Sequence, residues 1–194
     1  MSITRIRIAN WLDSVFAWPV MLYRQWKYGY TFRKIYLGEG EWTILEPRDY
    51  YRLRHFKWFL FGNKSNFYAV RSIKVGTGKT KMAYLHRDIL MPSEGLVVDH
   101  KNGDSLDNRR ANLRLATRSQ NSCNSRRDKS KASSRFRGVI FEKHSGLWLA
   151  RIKCHGKQIG LGRFTNEIDA ANAYDEAAKK YHGDFARLNF PEEN

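Results

Sequence analysis

Asp99 and His100 carry the strongest chemical signature in the sequence, because glycine and several asparagines follow them at short spacing. The pair comes directly after the apolar run 96–98, which predicts a strand that ends at these two residues. Hydrolysis of a phosphodiester needs a water made nucleophilic near neutral pH, and histidine is the side chain suited to that task. His100 is therefore the candidate general base.

Charge that develops on a phosphate calls for a hard cation, and oxygen ligands suit magnesium or manganese rather than zinc. The Asp99 carboxylate and the Asn121 carbonyl are the candidate ligands of one such ion, Mg²⁺ or Mn²⁺. Asn124 lies one helical turn after Asn121 and can share or take its role. Asn112 is better placed to brace the intervening loop, because its side chain can satisfy turn groups as donor and as acceptor.

The elements that must position these side chains follow the order strand, loop, strand, helix. Residues 101–110 are crowded with Asn, Gly, Asp and Ser, which predicts a loop. Residues 113–117 predict a second strand, and Thr117 or Ser119 can cap a helix that carries both asparagines. Such a unit brings a carboxylate and an imidazole at the end of one strand up to an amide on the helix.

The segments DHKNG, LDNRRANLRLAT and QNSCN resemble the HNH endonuclease motif, in the phage and intron-encoded branch whose last position is asparagine. The resemblance implies Asp99 and Asn121 as ligands of a single divalent ion, His100 as the general base and Asn112 as a structural asparagine. It also implies a ββα-metal fold. The alternative, an ordinary turn with asparagine caps, explains each residue singly but not the ordered set.

The 194 residues carry a formal net charge of +16, with basic residues spread along the chain, and this predicts a polyanionic partner. Nucleic acid is favoured over an acidic membrane surface. Cys123 and Cys154 match no zinc spacing, so we expect no zinc and two free thiols in a reducing cytoplasm. That cytoplasm is predicted to be bacterial or that of a phage-infected host, and the protein is not expected to be secreted.

The first 31 residues predict an aromatic amphipathic helix broken near Pro19. A signal peptide or membrane anchor is not expected, because the apolar stretch contains Asp13 and no cleavage site follows it. From Phe32 the pattern becomes that of strands. The predicted elements are a hairpin over 35–45, a short helix after Pro47, strands near 58–61, 68–71 and 81–85, and a helical turn over 86–90.

Two features of this region do not support a function. The glycine-rich stretch 75–80 looks like a phosphate-binding loop, but Ile73 stands where that loop needs its first glycine, and no helix follows. We therefore reject an ATPase. His86 beside Leu85 is predicted as a packed core residue, with Arg87 as a candidate phosphate contact.

The basic, serine-rich stretch 126–135 predicts a linker, and residues 136–191 predict a second domain. Three segments alternate apolar and polar residues, as strands of an antiparallel sheet do, and a helix with an alanine-rich face follows a Thr165 or Asn166 cap. The sheet face that the helix leaves uncovered is basic and is predicted to enter a major groove of DNA.

The segments FRGV, WLARI, GLGRF, DAANAYDEAA and LNFP closely resemble the plant APETALA-two/ethylene-response-factor DNA-binding domain. The resemblance implies that arginines and tryptophans of the sheet contact DNA, and Arg137 matches the first of these by position. Ile140 and Gly160 stand where the plant pattern has an arginine and a tryptophan. For Trp148, a core position is an equal alternative to DNA contact. The predicted DNA-binding residues are Arg137, Trp148, Arg151, Lys153 and Arg163.

We therefore predict an α+β chain in which a small N-terminal β-rich region leads into a ββα-metal (HNH) nuclease fold. A three-stranded antiparallel sheet packed on one C-terminal helix comes last. The predicted domains are an extension over 1–31, a nuclease domain over 32–125, a linker over 126–135 and a DNA-binding domain over 136–191.

The predicted function is divalent-metal-dependent hydrolysis of double-stranded DNA by a homing endonuclease, acting as a monomer or weak dimer. No membrane and no small-molecule cofactor is expected. The alternative is a sequence-specific DNA-binding transcription regulator with an inactive or structural HNH module. An RNA-binding protein is a third alternative, disfavoured because the sheet lacks an exposed pair of stacking aromatics.

Overall fold

A computed structural model of the chain describes residues 17–63, 66–76, 78–124, 133–154 and 156–191. The chain divides into two compact units. The first comprises Met1–Met91 and Asp104–Leu113, and the second comprises Pro92–Gly103 and Arg114–Asn194. The motif singled out from the sequence is therefore shared between the units. Its loop and Asn112 belong to the first unit, whereas Asp99 and His100 belong to the second.

The first unit consists of two small antiparallel sheets and three helices within the described ranges. One sheet is the hairpin β1–β2, and the other has the strand order β3-β4-β5. The elements are α1 (17–28), β1 (Arg33–Gly38), β2 (Glu41–Leu45), α2 (Pro47–Leu53), β3 (Phe59–Asn63), β4 (Asn66–Val75), β5 (Lys79–Tyr84) and α3 (Leu85–Leu90).

The β1–β2 hairpin turns where its backbone adopts left-handed conformations. Gly38, Glu39 and Gly40 have φ angles of 96°, 55° and 80°, and glycine adopts this region at little cost. Helix α2 begins at Pro47, whose fixed φ suits the first helical position. The core of the unit contains apolar side chains from most of its elements, including Leu45, Leu53, Trp58, Val70 and Leu85.

The second unit begins with β6 (Val97–His100), which forms a two-stranded sheet with β7 (Leu113–Ala116). Leu113, the first residue of β7, is counted with the first unit. Helix α4 (Arg118–Asn124) follows β7 directly. Thr117 precedes this helix, and its side-chain oxygen accepts a hydrogen bond from the Gln120 backbone N–H at 3.2 Å. Of the two predicted caps, Thr117 therefore forms the bond.

The rest of the second unit is an antiparallel sheet covered by one long helix. The sheet has the order β10-β9-β8 and comprises β8 (Val139–Glu142), β9 (Leu147–Cys154) and β10 (Lys157–Phe164). Helix α5 (Glu167–His182) is capped by Asn166, whose side chain accepts from the Ile168 N–H at 2.9 Å, and a 3-10 turn (Gly183–Phe185) follows it. Buried alanines on α5, including Ala170 and Ala171, allow the helix to approach the sheet closely.

The predicted α+β class is confirmed at the level of a mixed chain with several small antiparallel sheets and five helices in the described residues. The ββα-metal arrangement itself stays a prediction, as do the domain boundaries. The predicted N-terminal helix is described only over 17–28, where helical residues lie on both sides of Pro19. Most of the predicted linker, residues 126–132, lies outside the described residues. None of the described helices combines the length and apolar character that crossing a membrane would need.

The two features dismissed at the sequence level have ordinary structural roles. The stretch 75–80 is the connection of the β4–β5 hairpin, where Val75 pairs with Lys79. His86 is buried, and its ring lies 5.7 Å from that of Tyr68 and 5.4 Å from that of Tyr84. The prediction of a packed histidine is confirmed.

Candidate functional site

Asp99 and His100 lie at the end of β6, as the sequence predicts, and both are buried, with 4% and 7% exposure. A tight turn follows at once, because the Gly103 N–H donates to the His100 carbonyl at 2.8 Å. Val98 is also buried and anchors the strand just before the pair. The strand and its turn therefore fix a carboxylate and an imidazole at consecutive positions of the chain.

The Asp99 carboxylate accepts hydrogen bonds from two neighbours, which are Arg114 of β7 and Asn124 of α4. Nε and one terminal nitrogen of Arg114 each lie 2.7 Å from Oδ2 of Asp99. Nδ2 of Asn124 lies 3.0 Å from Oδ1 and 3.2 Å from Oδ2. A buried carboxylate without such partners would be costly, so these donors account for its burial.

Asn124 is the asparagine that reaches the strand end. Its Nδ2 also donates to the His100 carbonyl at 2.8 Å, and the residue is 5% exposed. Asn121 lies one turn earlier on α4 and is half-buried, and its backbone N–H donates to the Thr117 carbonyl at 3.0 Å. The two asparagines that the sequence left as alternatives therefore differ in their surroundings. Asn124 donates to Asp99, and its amide nitrogen faces four oxygen acceptors, which belong to Asp99, His100 and Lys101.

The 3-10 turn after α5 holds Arg114 in place. A second terminal nitrogen of Arg114 donates to the Asp184 carbonyl at 2.5 Å, and the guanidinium lies 3.9 Å from the centre of the Phe185 ring. Arg187 donates to the Asn124 carbonyl at 3.3 Å. Both side-chain donors of Asp99 therefore contact the segment that follows α5.

Asn112 lies in the loop Asp104–Leu113 of the first unit, where it donates to the Asp107 carbonyl at 2.8 Å. Asn108, which is fully buried, fixes the same loop to β2, because its Nδ2 donates to the Thr43 hydroxyl at 2.8 Å. The backbones of Ile44 and Asn108 are also hydrogen-bonded, at 2.8 Å. These contacts support the bracing role expected of Asn112.

Asp49 of α2 provides a second anchor for this loop. Its carboxylate accepts from Arg110 at 2.7 and 3.0 Å and from Arg52 at 3.0 Å. Burial alone would raise the pKa of Asp49, but the hydrogen bonds from Arg110 and Arg52 outweigh it and lower that pKa below its ordinary value. The carboxylate is therefore ionised at neutral pH and ties α2 to the loop.

The C-terminal sheet separates the five predicted DNA-binding residues into three settings. Arg151, Lys153 and Arg163 alternate with buried residues and lie exposed on the face away from α5. Arg163 is paired there with Glu142, with Nε and Oε2 2.6 Å apart. Trp148 lies on the opposite face, against the core and 4.8 Å from the Phe141 ring. Arg137 lines a groove beside Tyr174.

Comparison with known proteins gives two separate matches. A family of HNH endonucleases matches residues 91–123, which contain Asp99, His100 and Asn121. The AP2-like ethylene-responsive transcription factor TOE2 of Arabidopsis thaliana is 46% identical over 66 residues, which is 34% of this chain and 14% of that protein. This chain joins an HNH segment to an AP2/ERF-like segment.

Two further relatives match a similar share of the chain. Dehydration-responsive element-binding protein 2A of Arabidopsis thaliana is 48% identical over 58 residues, which is 29% of this chain and 17% of that protein. APETALA2-like protein 2 of Oryza sativa subsp. indica is 45% identical over 65 residues, 34% of this chain and 15% of the relative. This chain therefore spans only about a seventh of the length of these curated relatives.

Asp99 of the HNH segment retains capacity for a cation. Its Oδ2 accepts hydrogen bonds from Nε of Arg114 and from Nδ2 of Asn124 and also pairs with a terminal nitrogen of Arg114. Within the described residues, Oδ1 accepts one hydrogen bond, from Asn124. A carboxylate oxygen offers about two lone pairs, so Oδ1 has one available. No three His, Cys, Asp or Glu side chains cluster as a metal site within the described ranges, so an ion here would depend on Asp99, an amide oxygen, water and substrate.

Arg114 is the residue of the HNH segment that the sequence interpretation missed. In the stretch LRLA, apolar and polar residues alternate, which predicts that the arginine points outward from the strand. No residue nearby in the sequence indicates its partners. Asp184 lies 70 residues further along the chain. The one available signal is composition: an arginine close to a buried acidic residue in the same small sheet is a natural ion-pair partner.

Proposed function

We propose that the protein is a divalent-metal-dependent DNA endonuclease of the HNH homing type, directed to its target by the AP2/ERF-like segment. The observation that carries the proposal is the buried Asp99–His100 pair at the end of β6, inside the segment that matches HNH endonucleases. The net charge of +16 supports a polyanionic substrate. The relatives, named as a transcription factor and a response-element-binding protein, support DNA as the partner.

The site residues are proposed to have the following roles. Asp99, through Oδ1, and Asn121 would hold one Mg²⁺ or Mn²⁺, which would supply Lewis-acid stabilisation of charge on the phosphate. His100 would take the proton from the attacking water. Arg114 and Asn124 orient the Asp99 carboxylate from two sides, so that its free lone pair points in one direction.

Target recognition is proposed for the exposed face of the C-terminal sheet. Arg151 and Lys153 project from β9 on the side that α5 leaves open, and Arg163 lies on the same face of β10. Arginine and lysine can pair with guanine edges or phosphates in a major groove. Trp148 is left out of this surface because it packs against the core.

A plasmid-cleavage assay tests the proposal. Wild-type protein should nick supercoiled DNA with Mg²⁺ and not after chelation, and His100→Ala should reduce cleavage at least about 100-fold because the general base is lost. His144→Ala, which replaces an exposed histidine of the β8–β9 turn, is the matched control and should cleave like wild type. Because one chain carries one such site, nicked circles should accumulate before linear DNA.

A DNA-binding transcription regulator is the second candidate, favoured by the names of the relatives and by the ion pair that already engages Asp99. It predicts that wild type and His100→Ala both bind DNA and that neither cleaves it with Mg²⁺ or Mn²⁺. That outcome would rule out the endonuclease and retain the regulator.

A further inference from the structure

A groove of about 600 Å³ lies between α4 of the HNH segment and the sheet and helix of the AP2/ERF-like segment, within the second unit. Its walls are basic. Arg118 contributes from α4, Arg137 from the residues before β8, and Lys153 from β9. No acidic residue is among the described residues that line it, although the chain carries 19 aspartates and glutamates. The groove therefore attracts anions.

Helix α4 connects this groove to the proposed cutting site. One side of the helix is buried and presents Asn124 to Asp99. Another side is exposed and presents Arg118, Ser119 and Ser122 to the groove. A chain of phosphates that passes the Asp99–His100 pair would thus meet the basic side of the same short helix.

The opposite wall contains a polar atom that lacks a partner. Nε2 of His182 lies 2.9 Å from the Lys153 carbonyl, which only accepts, so Nε2 must be the protonated nitrogen. This leaves Nδ1, which is buried and has no hydrogen-bond partner among the described residues. In this tautomer Nδ1 accepts, so an ordered water or another donor in the groove, and not a phosphate oxygen itself, would complete its bonding.

We propose that this groove holds the phosphodiester backbone of DNA between the cutting site and the recognition sheet, with Arg118, Arg137 and Lys153 each contacting a phosphate. The inference rests on the proposed function for its choice of DNA. Arginine, lysine and serine side chains are common phosphate contacts, and all three types line this groove. Charges contributed by three separate elements of an open groove suit a polymer better than a single small anion.

The salt dependence of DNA binding tests this proposal without requiring cleavage. Full-length protein in the His100→Ala background, with chelator present, is titrated into a short duplex of arbitrary sequence at several salt concentrations. Each phosphate contact contributes about 0.9 to the slope of log K against log salt concentration. Arg118→Ala should therefore lower the magnitude of that slope by about 0.9.

Arg48→Ala is the matched control, because it removes one exposed arginine of the same charge from α2, and Arg48 does not line the groove. Its slope should stay at the wild-type value. Equal slopes for Arg118→Ala and wild type, or equal losses for Arg118→Ala and Arg48→Ala, would overturn the proposal by showing that only total charge matters. Loss of nuclease activity in wild type would instead count against the proposed function alone.

Alkylation of Cys123 gives an independent measurement, because this half-buried thiol lines the groove. In a Cys154→Ser variant, saturating duplex should slow the reaction of Cys123 with iodoacetamide about tenfold or more, as expected for a contact that excludes solvent. Ser122→Glu, which places a carboxylate in the groove, should weaken both DNA binding and this protection. A Cys123 that reacts equally fast with and without bound DNA would overturn the proposal.

Discussion

Asn124 and Asn121 lie one turn apart on α4, and replacing each with alanine should affect a different property. Asn124→Ala should lower stability, whereas Asn121→Ala should weaken metal binding. Asn124→Ala removes the amide that donates to Asp99 and to the His100 carbonyl and leaves buried acceptors unsatisfied. We expect its free energy of unfolding to fall by about 2 kcal/mol. Asn121→Ala should change stability by less than about 0.5 kcal/mol, because Asn121 is only half-buried, but should weaken Mn²⁺ binding at least about tenfold.

Urea denaturation and electron paramagnetic resonance of free Mn²⁺ measure these two effects. Asp99→Asn serves as the control in which the carboxylate ligand is removed. If Asn124→Ala lost Mn²⁺ binding at full stability while Asn121→Ala bound normally, the roles proposed for the two asparagines would be exchanged.

The sequence indicates some site residues and not others for a physical reason. Asp99 and His100 follow from local signals, since an apolar run and a turn-rich loop fix the end of a strand. The donors of Asp99 depend on packing between distant parts of the chain. Arg114 is fixed by Asp184 and Phe185, and no local periodicity connects residues so far apart.

Helix α2 and the loop that carries Asn112 are joined through Asp49, and this connection should depend on pH. The folded pKa of Asp49 is lowered, so the stability it contributes is present above its ordinary pKa of 3.8 and is lost as pH falls through the folded pKa. Asp49→Asn removes the charge and should lower the free energy of unfolding at pH 7 by about 2 kcal/mol.

Thermal unfolding of wild type and Asp49→Asn across pH measures this effect. The difference should be constant near neutrality and should shrink only below about pH 4, where the wild-type carboxylate takes up its proton. Asp169→Asn, which alters an exposed residue in the first turn of α5, is the charge-matched control and should show little difference. A gap between wild type and Asp49→Asn that stays the same down to strongly acid pH would contradict the ion-pair explanation.

Gly138 controls how closely α5 packs on the C-terminal sheet. Its φ is 73°, and a Cβ there would collide with the Tyr174 ring and lie 2.6 Å from the Arg151 carbonyl. Gly138→Ala should therefore cost about 3 kcal/mol or more of stability, from overpacking added to backbone strain. Gly146→Ala has a similar φ of 68° but open space, so it should cost only about 1 kcal/mol.

Chemical denaturation of the two variants separates the effect of packing from that of the backbone, since both substitutions place alanine in the left-handed region. Equal losses for Gly138→Ala and Gly146→Ala would show that the Tyr174 contact relaxes at no cost.

The sequence predicts which strands form better than it predicts how long each strand is. Periodicity locates the β1–β2 hairpin and the three C-terminal strands, because alternation of apolar and polar residues is a property of a few neighbours. It places the middle strand of the β3-β4-β5 sheet near 68–71, whereas β4 extends over Asn66–Val75. The added residues are largely exposed. Those before residue 68 pair with β3, and those after residue 71 pair with β5, for example Lys74 with Thr80. Such cross-strand pairing cannot be predicted from one strand alone.

For the whole molecule, the contact between Arg114 and Phe185 should appear as an energetic coupling. Phe185→Ala removes the ring on which the guanidinium stacks, and we expect it to lower the free energy of unfolding by about 1 kcal/mol. Arg114→Gln, which leaves Asp99 without its ion pair, should cost about 3 kcal/mol. In the double variant the losses should fall short of their sum by about 1 kcal/mol.

A double-mutant cycle followed by urea denaturation measures this coupling. Phe190→Ala, which removes an exposed ring packed on Phe136, is the control and should be additive with Arg114→Gln. Simple additivity of Phe185→Ala and Arg114→Gln would show that the stacking contributes nothing.

Composition predicts a nucleic-acid partner for the whole chain, since charge is a global property. It does not predict how the chain divides into units. The observed division assigns Asp104–Leu113 to the first unit. Strand β6, which precedes this segment, and helix α4, which follows it, are assigned to the second unit. The segment belongs to the first unit because Asn108 and Arg110 form hydrogen bonds with residues of β2 and α2. Those partners lie more than 60 residues earlier in the chain.

The contacts of Asp184 and Phe185 with Arg114 limit which segments of this protein can be replaced. The segments of a fusion protein are commonly regarded as interchangeable, so that one segment could be replaced without changing the other. Here the turn Gly183–Phe185, which follows the helix of the AP2/ERF-like segment, contacts the arginine that is paired with Asp99 of the HNH segment. A successful chimaera must therefore import only the sheet and helix and keep the native residues 183–187, or supply another aromatic ring and carbonyl at the same place.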